Sequence, residues 1–129
     1  MKGVTMATME IGPGQIKVLR ILWNTERATA QEITDIMNES EPTKLSTVQT
    51  FLRALVKKGI AGYDVDNRTY VFFPLVDETQ VKNSELKGFL ERSFSGSANG
   101  MVAYLVENSF LDPEELRKIY ELFEEKKDD

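Results

Sequence analysis

The middle of the chain, from Pro42 to Tyr63, carries four basic residues and no acidic residue, although the whole chain has a net charge of −5. If this stretch forms a helix, one face presents hydroxyl, amide and cationic side chains. Hydroxyl and amide groups hydrogen-bond to base edges, and Lys and Arg neutralise phosphates. These residue types at this spacing therefore predict a surface that binds double-stranded DNA.

The composition excludes most other chemistry, because the 129 residues include no cysteine and no histidine. Disulfides, zinc fingers and the Ser-His-Asp and Cys-His catalytic arrangements all need one of them. We therefore expect no enzyme, no cofactor and no metal site. No apolar run approaches the roughly 18–20 residues of a membrane span, and Met1 to Glu10 lacks the pattern of a signal peptide. The expected location is the cytoplasm.

The charge is distributed unevenly between the two parts of the chain. Residues 1–75 have a net charge of +1 and residues 76–129 have a net charge of −6. Because an acidic surface repels DNA, we expect the first part to contact the duplex and the second part to stay away from it.

The elements that position the polar face follow from hydrophobic periodicity and turn signals. Helices are predicted over 14–24, 29–39 and 44–58, after a loop at Gly12-Pro13-Gly14. Thr29 and Glu32 form a capping box, and Gly59 ends the third helix. Strands over 60–65 and 68–74 flank a turn at Asp66-Asn67. This order predicts a winged helix-turn-helix domain over residues 1–75, with the third helix free to enter a major groove.

The remainder, residues 76–129, is predicted to be helical over 79–94, over 98–109 and from Asp112 onward, where Pro113 and Glu115 complete a helix start. Three helices are too few to cover their own long apolar stripes, so we expect a second copy of the chain to cover them. A monomer that folds this segment back on the first domain is the alternative. The expected dimer interface consists of Leu86, Phe89, Leu90, Met101, Leu105, Leu116, Ile119 and Phe123.

The fold class is thus mainly α with a small β hairpin, an N-terminal winged helix-turn-helix followed by a three-helix dimerisation segment. Gln49 could pair with adenine, a Thr methyl could pack on a thymine methyl, and Arg68 could reach flanking backbone or minor groove. Two alternatives remain, a winged-helix module for protein interaction and a small-molecule-responsive regulator. The predicted DNA-binding residues are Lys44, Ser46, Thr47, Gln49, Thr50, Arg53, Lys57, Lys58 and Arg68.

Longer stretches carry a family resemblance that extends over nearly the whole chain. They read QIKVLRILW, ATAQEI, STVQTFLRALVKKG and RTYVFFPLV in the first part, and SELKGFLERSFSGSANGMVAYLVE and LDPEELRKIYELFEE in the second. In these stretches the sequence resembles the BlaI/MecI penicillinase-repressor family, whose relatives include the CopY repressors. The resemblance implies a homodimeric repressor that binds inverted-repeat operators of genes such as those for β-lactam resistance.

The resemblance also implies how repression ends. In the family, a membrane-bound sensor-protease triggers cleavage of the repressor within its C-terminal helices, at an Asn-Phe bond in the best-known members. The aligned bond here is Tyr104-Leu105. Thr47 and Thr50 match the family's threonines, whereas Ser46, Gln49 and Ala54 stand where relatives often carry a basic residue, so the operator sequence is expected to differ. The metal-binding cysteines of the CopY branch are absent.

Overall fold

The structure is a computed structural model that describes residues 9–127, so most of the segment assessed for a signal peptide lies outside it. Its architecture is mostly helical with one small antiparallel sheet. No helix within residues 9–127 is long and apolar enough to cross a membrane. The elements are α1 (Pro13–Thr25), β1 (Ala28–Thr29), α2 (Ala30–Met37), α3 (Leu45–Lys57), β2 (Ala61–Asp66), β3 (Thr69–Pro74), α4 (Glu78–Phe94), α5 (Ala98–Glu107) and α6 (Pro113–Lys127).

The core of the N-terminal part lies between α1, α2, α3 and the sheet. Leu19 and Leu22 of α1 and Ile33 of α2 are fully buried, and they share this core with the apolar stripe of α3. Trp23 packs at its edge and donates a hydrogen bond from Nε1 to the carbonyl oxygen of Val76, at 2.9 Å. That bond fixes the segment after β3 against α1.

The helix starts show one confirmed prediction and one correction. The capping box of α2 is present, since the Glu32 amide donates to Thr29 Oγ1 at 3.1 Å and the Thr29 amide donates to Glu32 Oε1 at 2.8 Å. The predicted loop at 12–14 is wrong beyond Gly12, because Pro13 is the first residue of α1. Proline fits that position, because a backbone N–H there would have no acceptor within the helix and proline has none to satisfy.

The sheet differs from the predicted two-stranded hairpin in two ways. It has three strands in the order β1-β3-β2, because Ala28 and Thr29 pair with Phe72 and Val71. Its turn is Asn67-Arg68 rather than Asp66-Asn67, since Asp66 pairs with Thr69. Both turn residues have positive φ, 50° and 67°, which is the type I′ geometry that matches the twist of a tight hairpin.

The chain divides into two compact units, the first ending at Gly88 and the second beginning at Phe89. The sequence placed this boundary between residues 75 and 76. The difference arises because the start of α4 packs on the first unit, where Val81 and Ser84 are buried. Ser84 Oγ donates to the carbonyl oxygen of Met9 at 3.2 Å.

The second unit contains the end of α4 together with α5 and α6, and within the described residues neither α5 nor α6 buries a side chain. Phe89, Phe94, Tyr104 and Phe110 form a chain of ring contacts with centroids 5.8, 5.8 and 6.4 Å apart. The predicted start of α6 is confirmed by reciprocal hydrogen bonds between Asp112 and Glu115. This unit is well formed in its helices but poorly covered on its apolar faces.

Candidate nucleic-acid interface

The helix α3 separates its apolar and polar side chains as its periodicity predicts. Val48, Leu52 and Leu55 have at most 1% of their surface exposed. Gly59, with φ of 78°, ends the helical run in the left-handed region that glycine tolerates. The side chains on the opposite side are solvent-exposed, and they are those of Lys44, Ser46, Thr47, Gln49, Thr50, Arg53 and Lys57.

Two hydrogen bonds along the exposed face orient the side chains at its centre. Thr50 Oγ1 donates to the carbonyl oxygen of Ser46 at 3.0 Å, and Arg53 Nη2 donates to Thr50 Oγ1 at 3.3 Å. The Thr50 hydroxyl therefore has helical partners, and its methyl group is left for an apolar contact. Arg53 is held along the helix, with its other guanidinium N–H groups available to an external acceptor.

A groove of about 580 Å³ lies between the start of α2, α3 and the hairpin. It brings together Gln49 and Arg53 from α3 and Arg68 from the hairpin turn, which lie far apart in the sequence. None of the described residues that line it is acidic. The lining residues are Thr29, Ala30, Gln31, Leu45, Gln49, Arg53, Arg68, Thr69, Tyr70 and Phe72.

Other predicted residues lie outside this groove. Lys44 and Thr47 border a smaller cleft of about 400 Å³ at the start of α3, together with Gly14 and Lys17 of α1. The Lys58 amine donates to the carbonyl oxygen of Glu10, just before α1, at 2.5 Å and to Gln15 Oε1, in α1, at 2.9 Å. Lys58 thus ties α3 to α1 in this structure.

Sequence reasoning missed several polar residues that packing brings to these surfaces. Gln31 and Thr69 line the groove, and Lys17 borders the smaller cleft while pairing with Glu41 at 2.9 Å. Lys17 could have been found from the sequence, because helical spacing places it on the exposed side of the predicted first helix. Nothing local in the sequence indicates that Gln31 and Thr69 lie close to the same groove.

The hairpin is anchored by Arg27, which precedes β1. Arg27 Nη2 lies 2.7 Å from Asp64 Oδ2, and its guanidinium carbon lies 5.2 Å from the centre of the Phe73 ring. On the other face of the hairpin, Tyr63 and Tyr70 stack with centroids 4.9 Å apart and are about half exposed, at 43% and 50%. The hairpin therefore presents aromatic rings beside its basic turn.

The arrangement suits binding of an anion. Within residues 9–127, no group of three or more His, Cys, Asp or Glu residues could hold a metal ion. The interface instead offers a polar helix face, a basic hairpin turn and a groove lined without acidic side chains. Such a face fits a DNA major groove, which is about 12 Å wide and admits one helix.

Known proteins resemble this chain over most of its length. The penicillinase repressor of Bacillus licheniformis is 28% identical over 118 residues, covering 92% of both chains. The methicillin resistance regulatory protein MecI of Staphylococcus aureus strain N315 is 26% identical over 119 residues, covering 92% of this chain and 97% of MecI.

Solved structures support the winged-helix fold. The solution structure of the DNA-binding domain of the repressor BlaI aligns with a TM-score of 0.51 and 22% identity, over 62% of this chain and 93% of that one. The crystal structure of YusO from Bacillus subtilis aligns with a TM-score of 0.53 and 22% identity, over 92% of this chain and 75% of that one.

Residues 11–125 match the model of the penicillinase repressor family. The protein therefore belongs to the penicillinase repressor family, a family of DNA-binding transcriptional repressors and not of enzymes.

Proposed function

We propose that this protein is a homodimeric transcriptional repressor that binds inverted-repeat operator DNA in the cytoplasm. The observation that carries the proposal is the acid-free exposed face of α3, which shares a groove with Arg68 of the hairpin turn. Cations on two separate elements can hold phosphates on both sides of a helix that lies in the major groove.

The proposed contacts fall into two classes. Near the start and centre of α3, Ser46, Thr47, Gln49 and Thr50 would contact base edges, with the Thr50 methyl group facing a thymine methyl. Lys44, Arg53 and Lys57 would contact phosphates along the helix, and Arg68 would contact flanking backbone or minor groove. Lys58 would have to exchange its two protein partners for a phosphate, so we assign it the smallest share.

The dimer is supported by the uncovered apolar faces of the C-terminal helices. Phe123, Leu86 and Ile119 are 60%, 47% and 46% exposed, and Phe89 is 43% exposed. Large apolar side chains left exposed mark protein interfaces where they form a common patch. We propose that the interface consists of the eight predicted residues, Leu86, Phe89, Leu90, Met101, Leu105, Leu116, Ile119 and Phe123.

The regulated genes and the release of repression are proposed by extension from the relatives, which are named for penicillinase repression and methicillin resistance. We propose control of β-lactam resistance genes and a membrane-bound sensor-protease as partner. The bond between Tyr104 and Leu105 lies inside α5, so a protease would reach it after local opening of that helix. Tyr104 is 49% exposed, which favours recognition of its side chain.

The deciding experiment for DNA binding is selection of sites from a pool of random duplex DNA with the full chain. We expect an inverted repeat whose half-sites are about 10 base pairs apart, or a multiple of that spacing. Enrichment no greater than for a mock selection would contradict the repressor function and favour a protein-interaction module.

Release of repression needs its own test in cells that carry the sensor gene. After exposure to a β-lactam, we expect an immunoblot to show two fragments, and Tyr104→Ala, which suits a helix and removes the recognised side chain, should reduce cleavage at that bond. Intact protein alongside derepression of the operator would contradict cleavage and leave DNA binding unaffected.

A further inference from the structure

The groove between α3 and the hairpin combines features that DNA backbone binding alone does not require. Its wall includes Tyr70 and Phe72, whose rings lie 6.3 Å apart, and Leu45, an apolar residue that is 37% exposed at the start of α3. Phosphates gain nothing from such apolar surface, whereas a flat hydrophobic molecule does.

The polar side of the same groove selects charge. Arg53 and Arg68 both line it, and the described lining residues include no carboxylate that would neutralise them. Guanidinium groups bind carboxylates through paired, charge-assisted hydrogen bonds. The Arg53 guanidinium also donates to Thr50 Oγ1 at 3.3 Å, so one of its N–H groups already has a partner on the helix.

We propose that this groove is a regulatory site for a planar aromatic carboxylate. The ring of the ligand would pack on Tyr70 and Phe72, and its carboxylate would accept hydrogen bonds from Arg53 or Arg68. A volume of about 580 Å³ lies within the range of small-molecule sites, roughly 300–1,000 Å³. Tyr63 supports the Tyr70 ring, because the two rings stack with centroids 4.9 Å apart.

Occupancy of the groove would weaken operator binding, an effect that rests on the proposed function. Gln49 and Arg53 line the groove and are also proposed DNA contacts, so a ligand and a DNA half-site would exclude each other. For such competition, a ligand at ten times its Kd raises the apparent Kd of one half-site about elevenfold.

The first arm of the test measures ligand binding without DNA. The probe is 2-naphthoate, added to the full chain labelled with nitrogen-15, and the readout is the amide shift in two-dimensional NMR spectra. We expect saturable shifts at Gln31, Gln49 and Thr69. The uncharged isostere 2-naphthamide should bind at least fivefold more weakly, a comparison that needs no variant.

Two variants test the two halves of the site. Tyr70→Ala removes a half-exposed ring that lies outside the proposed DNA contacts, and it should weaken naphthoate binding at least tenfold while changing the DNA Kd less than twofold. Arg53→Gln should weaken naphthoate binding at least fivefold. The control is Arg20→Gln, which makes the same charge change at an exposed site of α1 outside this groove and should leave naphthoate binding unchanged.

The second arm repeats the titration with a duplex that carries one selected half-site, and we expect the elevenfold rise in Kd. The proposed site is overturned if naphthoate causes no saturable shifts at these residues, or if 2-naphthamide binds as tightly as naphthoate. Either result would leave the proposed DNA binding unaffected. Naphthoate binding that leaves the DNA Kd unchanged overturns the regulatory role. Absence of DNA binding with saturable naphthoate shifts overturns the proposed function but not the site.

Discussion

The two units differ in how they cover their apolar side chains. In the unit that ends at Gly88, residues such as Leu19, Leu22 and Leu55 are fully buried inside one core. In α5 and α6, no described residue is buried; Leu122 of α6 is 64% exposed, and Phe110, between the two helices, is 65% exposed. The first unit is therefore stabilised by its own core, whereas the apolar faces of the second stay largely exposed in the single chain.

The two units also differ in charge. The basic window of the chain falls on α3 of the first unit, while residues 89–129 carry five basic and ten acidic residues, a net charge of −5. A dimer interface must bring like-charged segments together, so its apolar contacts have to outweigh this repulsion. We therefore expect substitutions in the core or in α3 of the first unit to change folding or DNA binding, and substitutions in α6 to change assembly.

The largest effect is expected in the core of the first unit. Leu52→Ala removes a side chain that is 1% exposed, and we expect a loss of about 2–5 kcal/mol in the free energy of unfolding. Leu75→Ala is the matched control at a position that is 56% exposed, and it should cost roughly 0.5 kcal/mol or less. Urea denaturation measures both. Equal losses for the two variants would show that this core does not carry the stability of the unit.

The second effect concerns assembly. Replacing both Ile119 and Phe123 with Glu places two charges in the proposed interface, and we expect the dimer Kd to rise at least about a hundredfold. Because both side chains are exposed in the single chain, the helical circular dichroism at a concentration where the protein is monomeric should change little. Sedimentation equilibrium gives the Kd, and Lys118→Glu, also on α6, is the control. An unchanged dimer would place the interface elsewhere.

The third effect concerns DNA affinity. Arg53→Ala and Lys57→Ala each remove one proposed phosphate contact, so each should weaken binding to all duplexes and reduce the slope of log K against log salt by about 1. Fluorescence anisotropy at several salt concentrations measures this slope. Lys87→Ala, an exposed lysine of α4, is the control and should leave the slope intact. If neither variant at α3 changes the affinity or slope, the proposed docking is wrong.

The smallest effect concerns the attachment of the hairpin. Arg27→Ala removes an exposed ion pair with Asp64 and a contact with the Phe73 ring, and should cost about 1 kcal/mol of unfolding free energy. Lys17→Ala removes an exposed pair with Glu41 alone and should cost roughly 0.5 kcal/mol or less. Thermal denaturation with heat-capacity correction compares the two. A larger loss for Lys17→Ala would contradict an anchoring role for the aromatic contact.

Local patterns in the sequence determined most of the helices and the division of α3 into two faces. Val48, Leu52 and Leu55 recur at helical spacing, and the same rule placed Ser46, Thr50 and Arg53 on the exposed side. The caps at Thr29 and Asp112 were predictable because a capping box involves residues only three apart in the chain. The polar character of the interface was thus encoded locally.

Other features depended on contacts between distant residues. Strand β1 has two residues and forms because Ala28 and Thr29 meet β3, and such a short strand leaves no alternating pattern. Gly14, predicted where the loop enters the first helix, lies inside α1, where a Cβ atom would come within 2.2 Å of the Phe51 ring. A side chain at position 14 would therefore have to displace the Phe51 ring.

The hairpin turn and the groove show the same limit. Asp66-Asn67 and Asn67-Arg68 are both plausible turns, and the pairing of Asp66 with Thr69 selected the second. The groove joins Gln31, Gln49 and Arg68 because three elements pack around one core, and the path of Lys58 toward Gln15 follows from the same packing. The sequence by itself determined which side chains are polar and which helix faces are apolar. The tertiary structure alone decided which of them meet, since that depends on the packing of distant elements rather than on periodicity.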